Sequence, residues 1–319
     1  MTRRAARDIS NDVTPAVLTP GNFDGVHLGH QALVRAARER ADAEGWRAVA
    51  MFFDPHPTAF FRPEAAPPLL TQPARRAELL RARGADAVDV RTFDAAFAAQ
   101  SPEAFVEDVL VGEHRVRAIV CGPDFRFGAK RAGDVSVLRR LGEAHGFDVR
   151  VVDPVREAGG VVSSTRVRGL IGEGEVAAAS ALLDRYHDVT GVVVEGDRRG
   201  RTIGFPTANL AGPEDSPLGM VPADGVYAVI ARADDGPPLR GVANIGVRPT
   251  FEAGRSLEVH LLDFEGDLYG RRLRVAFVAR LRGERKFDGV DALVAQLGRD
   301  VEEGRAALDA ADEGRLEWI

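Results

Sequence analysis

The chain has 319 residues, 45% hydrophobic and 28% charged, which is enough for two domains with separate cores. Its net charge is −6, and arginines scattered among acids do not form the basic stripe of a nucleic-acid-binding surface. No run approaches the ~20 apolar residues that cross a bilayer, residues 1–10 lack the apolar core of a secretory signal, and Cys121 alone permits neither a disulfide framework nor a cysteine-rich zinc site; the expectation is a cytoplasmic chain with no membrane partner.

The first half alternates short apolar runs with helical patterns. Ala16 to Thr19 reads as a strand, and Leu33, Val34, Ala37 and Ala41 fall on one face of a helix that stops near Gly45. Arg47 to Phe53 is the next strand. Pro73 opens a helix behind Thr71, with Gly84 beyond its end. Ala87 to Val90 is strand-like, and Ser101-Pro102 starts a helix carrying Phe105, Val106, Val109 and Leu110. Ala118 to Cys121 is a strand, Asp134 caps a helix carrying Val137, Leu138 and Leu141, and Val149 to Val152 closes the series. Such alternation predicts a parallel sheet covered by helices.

After about Leu183 to His187 the rhythm changes. Asp188 to Glu195, Gly225 to Arg232, Arg240 to Val247, Ser256 to Leu262 and Arg271 to Leu281 are strand-like and separated by glycine, proline and aspartate. That spacing predicts an antiparallel barrel or sandwich, closed by a helix from near Asp288 with Leu293, Val294 and Leu297 on one face. The expected division is residues 1–185 and 186–319.

Gly21-Asn22-Phe23-Asp24-Gly25-Val26-His27-Leu28-Gly29-His30 joins the first strand to the first helix. Glycines allow close backbone approach, and a helix N-terminus offers free N–H groups to an anion. His27 and His30, three apart, share a helix face and suit phosphate oxygens. The string resembles the HxGH signature of Rossmann-like nucleotidyltransferases. Asp54-Pro55-His56-Pro57, Gly122 to Gly128 and Ser163-Ser164-Thr165-Arg166-Val167-Arg168 follow at loop positions where hydroxyls and arginines can hold phosphates. Together these strings, from about Pro15 to Tyr186, resemble the adenylyltransferase module of prokaryotic bifunctional riboflavin kinase/FAD synthetase. Pro123 departs from the pattern and removes one N–H donor from its loop.

Gly191 to Asn209 joins a strand to a glycine-rich loop, Gly196 to Gly204, and then to a short strand carrying Thr207 and Asn209. Successive N–H groups in such a loop can nest phosphate oxygens. Thr207 and Asn209 alternate onto one side of an extended chain, where their oxygens can face one magnesium ion or phosphate. The P-loop order is absent. With Pro206-Thr207-Ala208-Asn209 attached, the run resembles the riboflavin kinase signature, and Asn244 to Phe251, Leu257-Glu258-Val259-His260 and Arg282 to Phe287 extend that likeness.

The resemblance implies an N-terminal Rossmann-like module that adenylylates FMN and a C-terminal barrel that phosphorylates riboflavin, with ATP and Mg²⁺. For the first it implies His27 and His30 in catalysis; Gly21, Asn22, Phe23, Asp24, Gly25, His56, Asp124, Ser163, Ser164, Thr165, Arg166 and Arg168 around ATP; and Phe125 and Arg126 toward flavin. For the second it implies Glu258 as general base, Thr207 and Asn209 on magnesium, Gly196, Arg201, Gly204 and Pro206 around phosphates, and Arg282 and Phe287 toward flavin. From position alone Glu258 is a surface carboxylate on a barrel strand, and His260 reads as structural. Rival expectations are one active module beside a scaffold, an oligonucleotide-binding barrel, which the 2 Trp and 3 Tyr do not favour, and a zinc hydrolase, for which no H-x-x-x-H pair exists.

Overall fold

A computed structural model describes residues 14–196, 200, 203–213, 217–234, 236–247 and 255–319. The chain divides into two compact units: one holds residues up to Pro68 together with Gln72–Ser163, the other Leu69–Thr71 with Ser164–Ile319.

The first unit is a five-stranded parallel sheet. Its strands are β1 (Ala16–Pro20), β2 (Arg47–Asp54), β3 (Ala87–Thr92), β4 (Val116–Cys121) and β5 (Asp148–Val151), in the order β3-β2-β1-β4-β5. The order reverses direction at β1, so β1 and β4 flank the switch point at which open α/β sheets bind ligands beyond their carboxyl ends. Helix α1 (Leu28–Glu44) packs on one face, where Val17, Ala37, Ala41, Ala48 and Val120 make a core. Gly45 ends it in the left-handed conformation, as the sequence predicts. The opposite core joins Ala16, Leu18, Val49 and Met51 to Phe105, Val109, Leu110 and Leu138. The later strands are linked along the chain by α2 (Pro57–Phe61), α3 (Pro73–Ala82), α4 (Ala95–Ala98), α5 (Pro102–Ala104) and α6 (Val135–His145). The helix that Ser101-Pro102 starts runs on as a π-helix over Phe105–Glu113. A hairpin of β6 (Arg156–Glu157) and β7 (Gly160–Val161) follows β5.

The second unit opens with α7 (Ser164–Glu173) and α8 (Val176–Leu183) and continues into a closed six-stranded barrel, which settles the barrel-or-sandwich alternative. The strands are β8 (His187–Val194), β9 (Ala208–Ala211), β10 (Gly225–Ala233), β11 (Pro238–Val247), β12 (Arg255–Leu261) and β13 (Arg272–Arg282), closing as β10-β11-β12-β9-β8-β13. Leu210, Tyr227, Val229, Ala243, Leu257, Val259, Leu273, Val275 and Phe277 fill the interior with Val176 of α8. A long C-terminal helix, Val290–Asp309, covers the outer face of β10 and β13: Ala228, Ile230, Ala276 and Val278 pack with its Leu308. Among the described residues no helix is long and apolar enough to cross a membrane.

Candidate functional sites

In the first unit the glycine-rich string forms the turn between β1 and α1. It is bent hard: Phe23 and Val26 take positive φ values of 51° and 44°, sparsely populated for residues with a side chain. Gly21 N–H donates to the Met51 carbonyl at 3.0 Å, tying the start of the turn to β2. His27 is the N-cap of α1, and its Nδ1 accepts the His30 N–H at 3.3 Å. The two imidazoles stack with centroids 3.7 Å apart and planes 15° apart, and the Phe23 edge meets His30 at 5.1 Å. Gly29 makes this possible, since a Cβ there would stand 3.1 Å from the His27 ring. Burial, reinforced by His27 and Arg76, holds the His30 imidazole well below its usual range, and its Nδ1 is buried without a hydrogen-bond partner. The N-terminal end of α1 thus presents two stacked rings at the positive end of a helix, an arrangement suited to phosphate oxygens.

The sequence reading missed the residue that holds this turn. Arg76 of α3 is buried; it donates to the Asn22 carbonyl at 2.9 Å and to the Asp24 carboxylate at 3.1 Å, and it lies over the Phe52 ring at 4.8 Å. Asp24 is equally buried in that pair. Position 76 follows another arginine on a short helix, which from sequence looks like a solvated face, and its hydrogen-bond partners lie more than fifty residues upstream.

The other expected residues of this half are placed one by one. His56 caps α2, accepting the Thr58 N–H at 3.1 Å. Asp124 and Arg126 are exposed in the turn after β4, and Arg126 donates to the Phe125 carbonyl. Burial pushes the thiol of Cys121, which ends β4, up to about 11. Ser163 ends the first unit, whereas Ser164, Thr165, Arg166 and Arg168 form the first turns of α7 in the second. Phe125 stacks on Phe127, 5.5 Å away. That pair ends a run of ring contacts through Phe105, Phe97, Phe93 and Phe53 to Phe60 and Phe61. Phe61 is 62% exposed. The run gathers residues at or beyond the carboxyl ends of β2, β3 and β4, a second feature that local sequence spacing does not reveal.

In the second unit the pairing register builds the site. On β12, Leu257 and Val259 point into the barrel, so Glu258 and His260 point outward. Glu258 pairs with Asn209 on β9 and with Asn244 on β11, placing three polar side chains in one outer row. Thr207 precedes β9 rather than lying within it, yet its hydroxyl donates to Glu258 Oε2 at 3.3 Å. A Cβ on Gly196 would stand 2.2 Å from Asn209 Nδ2, so only glycine lets the loop start run against that amide. His260 Nδ1 donates to the Pro206 carbonyl at 2.8 Å and its ring meets Phe205 edge-on, which fixes the Pro206-Thr207 segment. Gly204 takes φ 86° in the same loop. Arg201 and residues 248–251 lie outside the described residues. Arg282 makes two hydrogen bonds, 2.8 and 2.7 Å, to Asp300 on the C-terminal helix and lies 5.8 Å from the Phe287 ring centroid.

Hydroxyl, amide and carboxylate oxygens at Thr207, Asn209 and Glu258 are donors of the hard kind that magnesium takes. Among the described residues no group of three or more His, Cys, Asp and Glu is placed to hold a metal.

Comparison with known proteins follows the same two-part division. A family model described as FAD synthetase matches residues 9–166, and one described as riboflavin kinase matches residues 183–308. A curated Escherichia coli protein named bifunctional riboflavin kinase/FMN adenylyltransferase is 42% identical over 287 residues, covering 89% of this chain and 90% of its own. Proteins of the same name from Listeria monocytogenes and Bacillus subtilis are 39% and 34% identical, each over more than nine-tenths of both chains. A crystal structure from Streptococcus pneumoniae, described as a macrolide-efflux protein, superposes with a TM-score of 0.83 at 34% identity, covering 93% of this chain and 96% of that one.

Proposed function

The chain belongs to the bifunctional riboflavin kinase/FMN adenylyltransferase family, and we propose on that premise that it phosphorylates riboflavin to FMN and then adenylylates FMN to FAD, spending one ATP in each step. The observation that carries the kinase assignment is the outward row in which Glu258 stands beside Asn209 and accepts a hydrogen bond from Thr207. In that reaction the terminal ribityl hydroxyl oxygen bonds to the γ-phosphorus, the bond from that phosphorus to the bridging oxygen breaks, and ADP leaves. Glu258 accepts the hydroxyl proton, a contribution of about 10²–10⁴-fold when a base is well placed. Thr207 and Asn209 would hold magnesium, which when bound neutralises charge on the ATP phosphates. Gly196, Gly204 and Pro206 shape the phosphate loop, and Arg201 belongs to the same stretch.

In the adenylylating half, an FMN phosphate oxygen attacks the ATP α-phosphorus and pyrophosphate departs. A phosphate monoester is nucleophilic near neutral pH, so the site needs position and charge stabilisation rather than a strong base. His27 and His30 donate toward the phosphates at the start of α1. The backbone from Gly21 to Gly25, with His56, Asp124 and Ser163, is the nucleotide set of the first unit, and Ser164, Thr165, Arg166 and Arg168 at the start of α7 are assigned to phosphate from the family likeness. We assign the phenylalanine run, from partly exposed Phe60 and Phe61 to Phe125, as the surface that takes the flavin ring, because planar apolar rings stack well on aromatic faces and edges. The functional division is kept at residues 185/186, and the partners are these small molecules, in the cytoplasm, with neither nucleic acid nor membrane.

Purified protein given riboflavin and Mg²⁺-ATP, followed by chromatography, is expected to yield FMN and then FAD. Glu258→Ala should lose FMN formation and keep FAD formation from supplied FMN, with His30→Ala showing the reverse. Loss of both activities in either folded variant would overturn the assignment.

A further inference from the structure

Arg76 spends a fully buried guanidinium on the turn between β1 and α1, whose residues 23–27 are themselves buried. An uncompensated charge in that position is costly, and the chain retains it with a carboxylate, a carbonyl and an aromatic face as partners. Its partners are Asn22 and Asp24, within the strained segment whose end places His27 as the cap of α1. Its charge also bears on His30 and on Asp54 at the end of β2.

The histidine geometry is informative about protons. His27 Nδ1 accepts a backbone N–H, so it carries no proton; a neutral His27 then holds its hydrogen on Nε2. Protonating Nδ1 would break the cap. A second imidazolium stacked at 3.7 Å against the first would repel it, and Arg76 adds a third positive charge nearby. Among the described residues, the charged and titratable groups that bear on His30 are His27 at the cap of α1 and Arg76 from α3, with Asp24 and Asp54 bearing on Arg76.

We propose that Arg76 is a positioning residue for adenylyl transfer: it fixes the turn that carries the histidine pair and supplies the permanent cation beside it, so that both rings serve as neutral hydrogen-bonding groups. The proposal rests on the assignment of His27 and His30 to FAD formation. A lysine at this position would keep the charge but not the fork that spans a carbonyl and a carboxylate.

The test is the pH profile of FAD formation from FMN and Mg²⁺-ATP, with riboflavin phosphorylation by the same preparation as the folding control. Arg76→Met is expected to lower kcat for FAD formation by on the order of 10²-fold and to move the acid limb of kcat/KM to higher pH, because removing a cation makes His30 easier to protonate. Arg76→Lys should lose part of kcat with the limb in place. Histidine Cε1–H NMR titration, with His30 assigned by loss of its signal in His30→Asn, should show the same displacement directly. An unmoved limb and an unmoved His30 titration in Arg76→Met would overturn the proposal and leave Arg76 a purely structural residue. If Arg76→Met does not fold, Asp24→Asn retains the cation and removes its counter-charge. His30 should then titrate at lower pH than in the parent, and an unchanged titration overturns the proposal. Failure of the parent protein to make FAD would instead defeat the functional assignment itself.

Discussion

Glu258 and Asn209 lie 49 positions apart in sequence and become neighbours through strand register, and that register leaves little room at Gly196. A methyl group there would meet the Asn209 amide at 2.2 Å, well inside van der Waals contact. Gly196→Ala is therefore expected to displace Asn209 and cut riboflavin phosphorylation at least tenfold, an amount equal to about 1.4 kcal/mol in the barrier, while FAD formation from supplied FMN stays within twofold. Steady-state assays of both activities on one preparation check this. The polar row was partly legible from sequence: alternation put Glu258 and His260 on one face and Thr207 and Asn209 on another. What alternation cannot supply is which strands meet. The β9 strand closes the barrel between β12 and β8, and only that pairing brings Thr207 to Glu258. Arg76 was illegible for a similar reason, since its role is written in Asn22, Asp24 and Phe52, none of which a helix pattern identifies.

Among the elements, the π-helix of Phe105–Glu113 shows how pattern underdetermines geometry. Phe105, Val106, Val109 and Leu110 recur at spacings that suit an α-helix, and the sequence reading made it one. The wider winding carries Glu113 and His114 to β3, where Arg91 makes two hydrogen bonds to Glu113 and His114 Nε2 lies 2.8 Å from Asp89. Arg91 also bonds Asp89 at 2.5 Å, so strand and helix end are joined by a buried polar cluster. Burial alone would raise the Asp89 carboxyl, but hydrogen bonds and charge from His114 and Arg91 outweigh it and hold the group below the usual carboxylate range. A folded-state value depressed in this way gives stability that is fully present above the unfolded value, near pH 4, and is lost as pH falls through the lower folded value. Asp89→Asn should lower unfolding free energy at neutral pH by about 1–3 kcal/mol, since it removes the buried one of the two carboxylates that pair with Arg91 and leaves Glu113 alone to do so, and the deficit should shrink below pH 4. Urea unfolding of parent and variant between pH 3 and 7, followed by a probe in the first unit, measures this; a pH-independent difference would refute the linkage. The C-terminal helix has a comparable anchor. Asp300 receives Arg282 twice and Gln296 at 2.8 Å, so Asp300→Ala is expected to loosen that helix from β13 and lower the barrel's thermal midpoint.

At the scale of the molecule, the change of rhythm near residue 183 announced two architectures, and both are present. The compact units nevertheless divide at Ser163/Ser164, because Val176 of α8 joins the barrel interior and carries α7 and α8 with it. Helix amphipathicity says that α8 must bury a face, but not against which neighbour; eight residues reading Val-Ala-Ala-Ala-Ser-Ala-Leu-Leu suit either core. Separate cores imply that a local lesion in one unit leaves the other folded. A mixture of two full-length variants, Glu258→Ala and His30→Ala, then contains one intact copy of each site on different chains. Supplied with riboflavin and Mg²⁺-ATP, the mixture is expected to form FAD after a lag, with FMN accumulating first, while neither variant alone completes the sequence. The lag should shorten as the Glu258→Ala chain is added in excess, because that chain carries the intact adenylylating site and FMN must reach it through solution. If each variant keeps its own half-reaction but the mixture makes no FAD, FMN passes only within a chain, and independence of the two sites fails at the level of the intermediate.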